Sequence, residues 1–162
     1  MTTMDKKYKL TTQSIEWKGI KLFRIKALKA FSGVKAGELG GYIESENNLS
    51  QEGNSWIYDD AKIYDNAKIF GNAHVRNNAE VFGNAKVCDD AEVFGNAKVC
   101  ANANIKEDGW VSDYSIILGS VCVYGNSWVY GNAEIHDNAE ICGNVKVCGD
   151  TVIYGNALIR AD

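Results

Sequence analysis

The sequence predicts an all-β chain in which very short parallel strands stack into a solenoid, closed at its N-terminal end by a small β-rich cap. Three observations predict it. From Gly53 onward the chain divides into eighteen six-residue units with no insertion. The fifth residue of every unit, from Ile57 to Ile159, is Val or Ile. The first two residues of most units are Gly or Asp followed by Asn or Asp.

Each preference has a physical cause. β-Branched side chains favour extended backbone and fill a flat interior, so the fifth residue reads as the centre of a short strand facing a core. The third residue is Ala in eleven units and otherwise Ser, Thr, Val or Gly. Strand alternation points it the same way as the fifth, into a space that admits only a small side chain. Gly-Asn, Asp-Asn and Asp-Asp turn a chain cheaply, because Gly and Asn accept left-handed backbone angles and Asx side chains bond nearby amides. A unit of this kind cannot bury its apolar face alone and must stack on copies of itself. A period of six with Gly-Asn inside it also opposes a helix.

The pairing of an aliphatic residue with a small one four places later, as in Val99 and Ala103, resembles the hexapeptide-repeat family throughout 53–160. The resemblance implies a single-stranded left-handed parallel β-helix with three units per triangular coil, hence about six coils over 53–162. At about 4.8 Å per stacked strand the rod is on the order of 30 Å long. Residues eighteen apart then form ladders, such as Tyr58–Arg76–Phe94–Ser112–Tyr130–Cys148 and Tyr64–Phe82–Cys100–Leu118–His136–Tyr154. This chain departs from the family by placing Tyr, Phe or Cys directly after the aliphatic residue, where alternation points outward.

Residues 1–52 lack the repeat and are expected to form an N-terminal β-hairpin cap and a degenerate first coil. Lys18-Gly19 reads as a two-residue hairpin turn between Gln13–Trp17 and Ile20–Arg24, pairing Trp17 with Ile20, Ile15 with Leu22 and Glu16 with Lys21. An open solenoid end is an exposed strand edge, which the head would cover. Residues 35–52 equal one coil in length, with Leu39, Ile43 and Leu49 as weak echoes of the pattern. The stretch "KLFRIKALKAF…GELGGYIESENNLS" is similar to the leader of uncharacterised hexapeptide-repeat proteins of bacterial and bacteriophage genomes. That likeness implies a bacterial or phage-infected host cell and brings no assigned activity.

Composition narrows the function classes. Residues 1–52 carry nine Lys or Arg against six Asp or Glu, whereas 53–162 carry eight against fifteen. An acidic rod is a poor match for a nucleic-acid backbone, so nucleic acid is not the expected partner. No apolar run reaches membrane-spanning length, and Met1–Lys9 is polar and basic, so a cytoplasmic protein without membrane contact is expected. Cys88, Cys100, Cys122, Cys142 and Cys148 form no CxxC pair and read as reduced thiols.

For chemistry, the family resemblance raises acyl transfer, in which a histidine acts as general base toward an acceptor beside acyl-CoA. Only His74 and His136 are available, both outward and neither on a loop, which makes them weak catalytic candidates. There is no GxSxG, P-loop or dinucleotide fingerprint, and Asp59, Asp60, Asp89 and Asp90 sit at corners where Asn serves equally; no metal and no cofactor is expected. Between Glu107 and Tyr130 the outward residues change to Trp110, Ile116, Leu118, Cys122, Tyr124, Trp128 and Tyr130, with the two tryptophans eighteen apart. Such a cluster calls for burial against something. The leading expectation is a non-enzymatic binding or assembly module, a dimer or trimer that contacts another macromolecule, such as an inhibitor of a host factor. The alternatives are an acyltransferase-like enzyme and a small-ligand or nucleotide binder at clefts between protomers.

Overall fold

In a computed structural model, which describes residues 5–162, the repeat forms the expected all-β solenoid; Met1–Met4 of the polar start lie outside the described residues. The corners set its period. The first residue of every unit, from Gly53 to Gly155, has a positive φ. Glycine enters that region freely and Asp or Asn at small cost, whereas a Cβ elsewhere is penalised. Ala101 at φ 58° and Glu107 at φ 54° are the two that are neither Gly nor Asx.

Gly and Asx corners meet the next coil differently. Where a carboxylate or amide stands there, its oxygen accepts the backbone N–H eighteen residues on: Asp89 from Glu107 at 3.1 Å, Glu107 from Gly125 at 2.9 Å, Asp113 from Gly131 at 2.9 Å. Where glycine stands beneath a further coil, the next corner is close: a Cβ on Gly95 would lie 2.8 Å from the amide nitrogen of Asp113, whereas one on Gly149 or Gly155, in the last coil, would meet nothing within 4 Å. The second residue builds a ladder of its own, with Asn66 donating to Asn84 at 3.3 Å and Asn84 to Asn102 at 3.2 Å. The Asx residues thus act between coils as well as within their own turns.

Between corners run the strands. After β1 (Tyr8–Trp17), β2 (Ile20–Ala27) and β3 (Leu39–Ile43), eighteen short strands from Trp56–Ile57 to Leu158–Ala161 fall in rotation onto three parallel faces. The first face continues β3 through Lys62–Ile63, Glu80–Val81, Lys98–Ala101, Ile116–Gly119, Glu134–Asp137 and Val152–Ile153. The second runs from Trp56–Ile57 through His74–Val75, Glu92–Val93, Trp110–Val111 and Trp128–Val129 to Lys146–Val147, and the third from Lys68–Ile69 to Leu158–Ala161. Partners are eighteen apart, as when Val93 pairs with Val75 and Val111, so the predicted ladders hold. The solenoid is left-handed and makes about seven turns, the head supplying one beyond the six of the repeat.

The interior holds the fifth and third residues of each unit, and every fifth residue from Ile57 to Ile141 is wholly buried. Each such aliphatic side chain contributes about 1.5–3 kcal/mol of hydrophobic free energy. The head joins this core. Ile43 pairs with Ile63 and Leu49 with Ile69, at separations of twenty rather than eighteen, so the degenerate coil carries two extra residues between Leu49 and Ile57. Lys7 reaches in beside them, its Nζ donating to the Ser55 carbonyl at 2.8 Å and to those of Glu52 and Gly53 at 3.4 Å. Burial, with help from Lys29, lowers its pKa to about 8. Leu39 is a correction to the expected echo: it is 47% exposed, and Ile43 and Leu49 alone carry the apolar pattern inward.

The hairpin takes the predicted form, with Lys18 at φ 51° and Gly19 at φ 82°, and with Trp17 opposite Ile20, Ile15 opposite Leu22 and Glu16 opposite Lys21. Its strands are longer than expected, and β2 pairs antiparallel with β3, so the hairpin extends the sheet of the first face. The end is sealed by Trp56, wholly buried against the rings of Tyr8 at 6.2 Å and Phe31 at 5.4 Å. Gly40 must lack a side chain there, since a Cβ would come within 2.7 Å of both Ile25 and Trp56.

Truncating a mid-rod core residue leaves a cavity between two coils, whereas the last coil is half open. Ile105→Ala is expected to cost about 2–5 kcal/mol in chemical denaturation and Ile159→Ala less than about 1 kcal/mol; equal losses would contradict this account of the core.

Candidate interaction face

The fourth and sixth residues of each unit point outward, and eighteen-residue spacing lays them in columns along the rod. Two aromatic stacks result. Tyr64 and Phe82 stack on the first face with centroids 5.0 Å apart and planes 5° from parallel; Trp110 and Trp128 do so on the second at 4.7 Å and 8°. Their surroundings differ.

The hairpin tip covers the first stack. Ile15, Trp17, Ile20 and Leu22 lie against Tyr64, Phe82 and Tyr42, with Lys62 Nζ 4.4 Å from the centre of a Trp17 ring. The centre of this contact is Glu80, whose side chain is 8% exposed. Its carboxylate accepts from Lys18 Nζ at 2.8 Å, Tyr64 OH at 2.8 Å and Trp17 Nε1 at 3.2 Å. Burial alone raises the Glu80 pKa, but the three hydrogen bonds and the Lys18 charge outweigh it and hold the carboxyl below its ordinary value. Burial and the bond to Glu80 in turn push the Tyr64 hydroxyl upward.

Among the described residues no segment folds over the second stack, and Trp128 is 37% exposed. On one side a shallow groove of about 300 Å³ is lined by Phe94, Trp110, Ser112, Asp113, Trp128 and Tyr130. Phe94 meets Trp110 edge-on at 6.0 Å. Toward the N-terminus Arg76 lies over Phe94 and pairs with Glu92; toward the C-terminus Lys146 Nζ sits 4.7 Å from the centre of the Trp128 ring.

The seven expected interface residues are not one patch. Consecutive units occupy different faces, which separates them: Ile116 and Leu118 belong to the first face, Trp110, Trp128 and Tyr130 to the second, Cys122 and Tyr124 to the third. Trp110, Trp128 and Tyr130, the second-face group, line a common groove. Its companions Phe94, Glu92 and Lys146 were missed because they lie outside 107–130 in sequence, although the eighteen-residue offset places each one coil from a tryptophan. Tyr114 was missed too; it occupies a corner normally held by Asn or Asp and is 65% exposed.

The histidines are apart as well. His74 is on the second face, its ring edge-on to Tyr58 at 5.4 Å and its Nε2 buried without a hydrogen-bond partner. Desolvation lowers its pKa against the opposing pull of Glu92. His136 is on the first face and pairs through Nε2 with Glu134 at 3.1 Å. Neither lies in the groove beside Trp110. The thiols offer no activated nucleophile at Cys88, Cys100 or Cys122: burial raises all three, Cys88 to about 11 with a further push from Asp89. Among the described residues no helix is long and apolar enough to cross a membrane.

No family model matches the chain. Part of it has a curated relative. Over 42 residues, 26% of this chain, it is 50% identical to a protein of Escherichia coli K12 described as the uncharacterized acetyltransferase YdcK. The matched stretch is 13% of that protein, so the chain spans about an eighth of the relative's length. Together with the parallel stacked coils, the match supports a likeness to the hexapeptide-repeat proteins.

The Glu80 contact has a testable pH signature. A depressed folded-state pKa gives stability that is present above the unfolded value near 4.3 and is lost as pH falls through the folded value. Glu80→Gln is expected to destabilise hairpin docking by about 1.5–3 kcal/mol at pH 7. The difference from the parent should shrink toward zero as pH falls through the lowered folded-state pKa, read from hairpin amide exchange; a constant difference across pH would refute the assignment.

Proposed function

We propose that the protein is a non-enzymatic binding and assembly module that associates with itself through its second face and presents the resulting rigid body to another macromolecule. The contrast between its two aromatic stacks carries this reading. The chain devotes a hairpin, a buried carboxylate and a lysine to covering Tyr64 and Phe82, whereas among the described residues no such segment covers the partly exposed Trp110 and the exposed Trp128 at mid-rod. A flat aromatic surface flanked by charge is the composition of an interface centre. The resemblance of the leader to phage and bacterial proteins makes a host-cell factor the natural macromolecular target.

A second reading, acyl transfer, is favoured by the likeness to the Escherichia coli protein. It would require His74 or His136 as general base within hydrogen-bonding reach of an acceptor. His74 has the neutral form such a base needs, but Tyr58 lies against its ring. His136 is partly exposed and already bonded to Glu134.

Two experiments separate these readings. Trp110→Ser with Trp128→Ser is expected to reduce an oligomer seen by light scattering to single chains, each indole contributing at least about 2 kcal/mol at an interface centre. Unchanged mass in a variant with parental circular dichroism would refute the interface. In calorimetry, acetyl-CoA at millimolar concentration is expected to give no binding heat; heat that disappears in His136→Ala or His74→Ala would establish the enzyme reading instead.

A further inference from the structure

The column of fourth residues on the second face reads, from N- to C-terminus, Trp56, His74, Glu92, Trp110, Trp128, Lys146, each in register with the next. About a point midway between the two tryptophans this column is self-complementary. Reversing it sets Trp110 against Trp128 and Glu92 against Lys146. The column of sixth residues behaves likewise: reversal sets Ser112 against Tyr130 and Phe94 against Cys148, small against large at both positions. Both reversals share one centre, because the two columns are held in register by the same strands.

Resting on the self-association proposed above, we propose that the partner at this face is a second copy of the chain, packed with its rod antiparallel about a two-fold axis through the Trp110–Trp128 step. A two-fold axis lying in the interface, across the rods, brings each column onto itself reversed, the isologous arrangement in which residue i meets j and j meets i. Four coils then overlap, those of Glu92, Trp110, Trp128 and Lys146. The coil of His74 and the head beyond it extend past the partner's C-terminal coil, so the caps do not collide.

The charges support this orientation. Glu92 is held by Arg76 through Oε2 and is partly exposed, leaving Oε1 to accept from a partner's Lys146. Lys146 lies over the face of Trp128, is exposed, and among the described residues pairs with no carboxylate, so its ammonium is available at the edge of the aromatic centre. Each dimer gains two such ion pairs, one at either end of a four-tryptophan centre. With rods parallel about an axis along their length, the column of fourth residues would instead meet that of sixth residues, and Glu92 would lose its lysine. Four strands at about 4.8 Å and four residues at about 3.3 Å give a contact of about 250 Å² per protomer, below the roughly 600 Å² per partner at which stable specific interfaces begin and in the range of transient contacts. The dimer is therefore weak and concentration-dependent.

Sedimentation velocity on the full chain from about 10 to about 300 µM tests this. The parent is expected to move from monomer toward dimer. Lys146→Glu, which leaves the Arg76–Glu92 pair intact, should weaken association at least about tenfold by setting two carboxylates together, and Glu92→Lys should do the same. An equimolar mixture of the two single variants, and the double variant alone, should each dimerise as the parent does, because both restore one cation against one anion at each end. If the charge variants leave unchanged an oligomer that the double Trp→Ser variant dissolves, the antiparallel arrangement is overturned while association through the tryptophan face stands. A trimer would likewise overturn it, and a parent that remains monomeric throughout would overturn both.

Discussion

Once every six residues the backbone enters the left-handed region, and the rest of the molecule depends on that corner. It limits each strand to a few residues, so a face has room for one buried aliphatic side chain and one small one per unit. It also brings successive coils within hydrogen-bonding distance at the turn, where Asp59, Asp89, Glu107 and Asp113 each accept an amide from the next coil. A corner that needed another backbone geometry would shift the register of every later ladder. The column of tryptophans exists because eighteen corners in succession keep the same geometry.

Keeping that register leaves the chain no protruding loop over the repeat, and this bears on what it does. Groups can be brought together only along columns, or across the corner between adjacent faces. His74 and His136 are on different faces, and their neighbours are a tyrosine ring and a glutamate, not each other. A rigid rod of this kind is suited to displaying a surface at fixed spacing. The head shows the same logic applied within the chain: its hairpin meets the Tyr64–Phe82 column and the neighbouring Glu80 with Trp17 and Lys18, an aromatic stack met by an indole and a cation.

The two aromatic stacks therefore form a comparison built into one molecule. On the first face, burial of the rings required a buried carboxylate saturated by three donors, an arrangement stable only while the carboxylate stays charged and every bond is made. On the second face charge is kept at the ends, with Glu92 one coil before the tryptophans and Lys146 one coil after them. Such a layout leaves the rings between charges that stay near solvent instead of burying a carboxylate beneath them.

How much of this was legible in the residues differs by level. The period, the buried Val and Ile, the small third residue, the hairpin turn at Lys18-Gly19 and the pairing of Trp17 with Ile20 follow from local backbone and alternation rules acting over a few residues. They are determined by sequence alone because nothing distant competes with them. The grouping of the site residues was not legible in the same way. Ile116, Leu118, Cys122 and Tyr124 lie beside the tryptophans in the chain, yet the corners turn them onto other faces, while Glu92, Phe94 and Lys146 come from neighbouring coils. The burial of Tyr64 under the hairpin, the inward reach of Lys7 and the exposure of Leu39 likewise depended on where the head docks. Sequence by itself determined what each unit does, because six-residue geometry is local; only the tertiary structure decided which outward side chains meet, because that follows from the eighteen-residue stacking of coils and the course of the head.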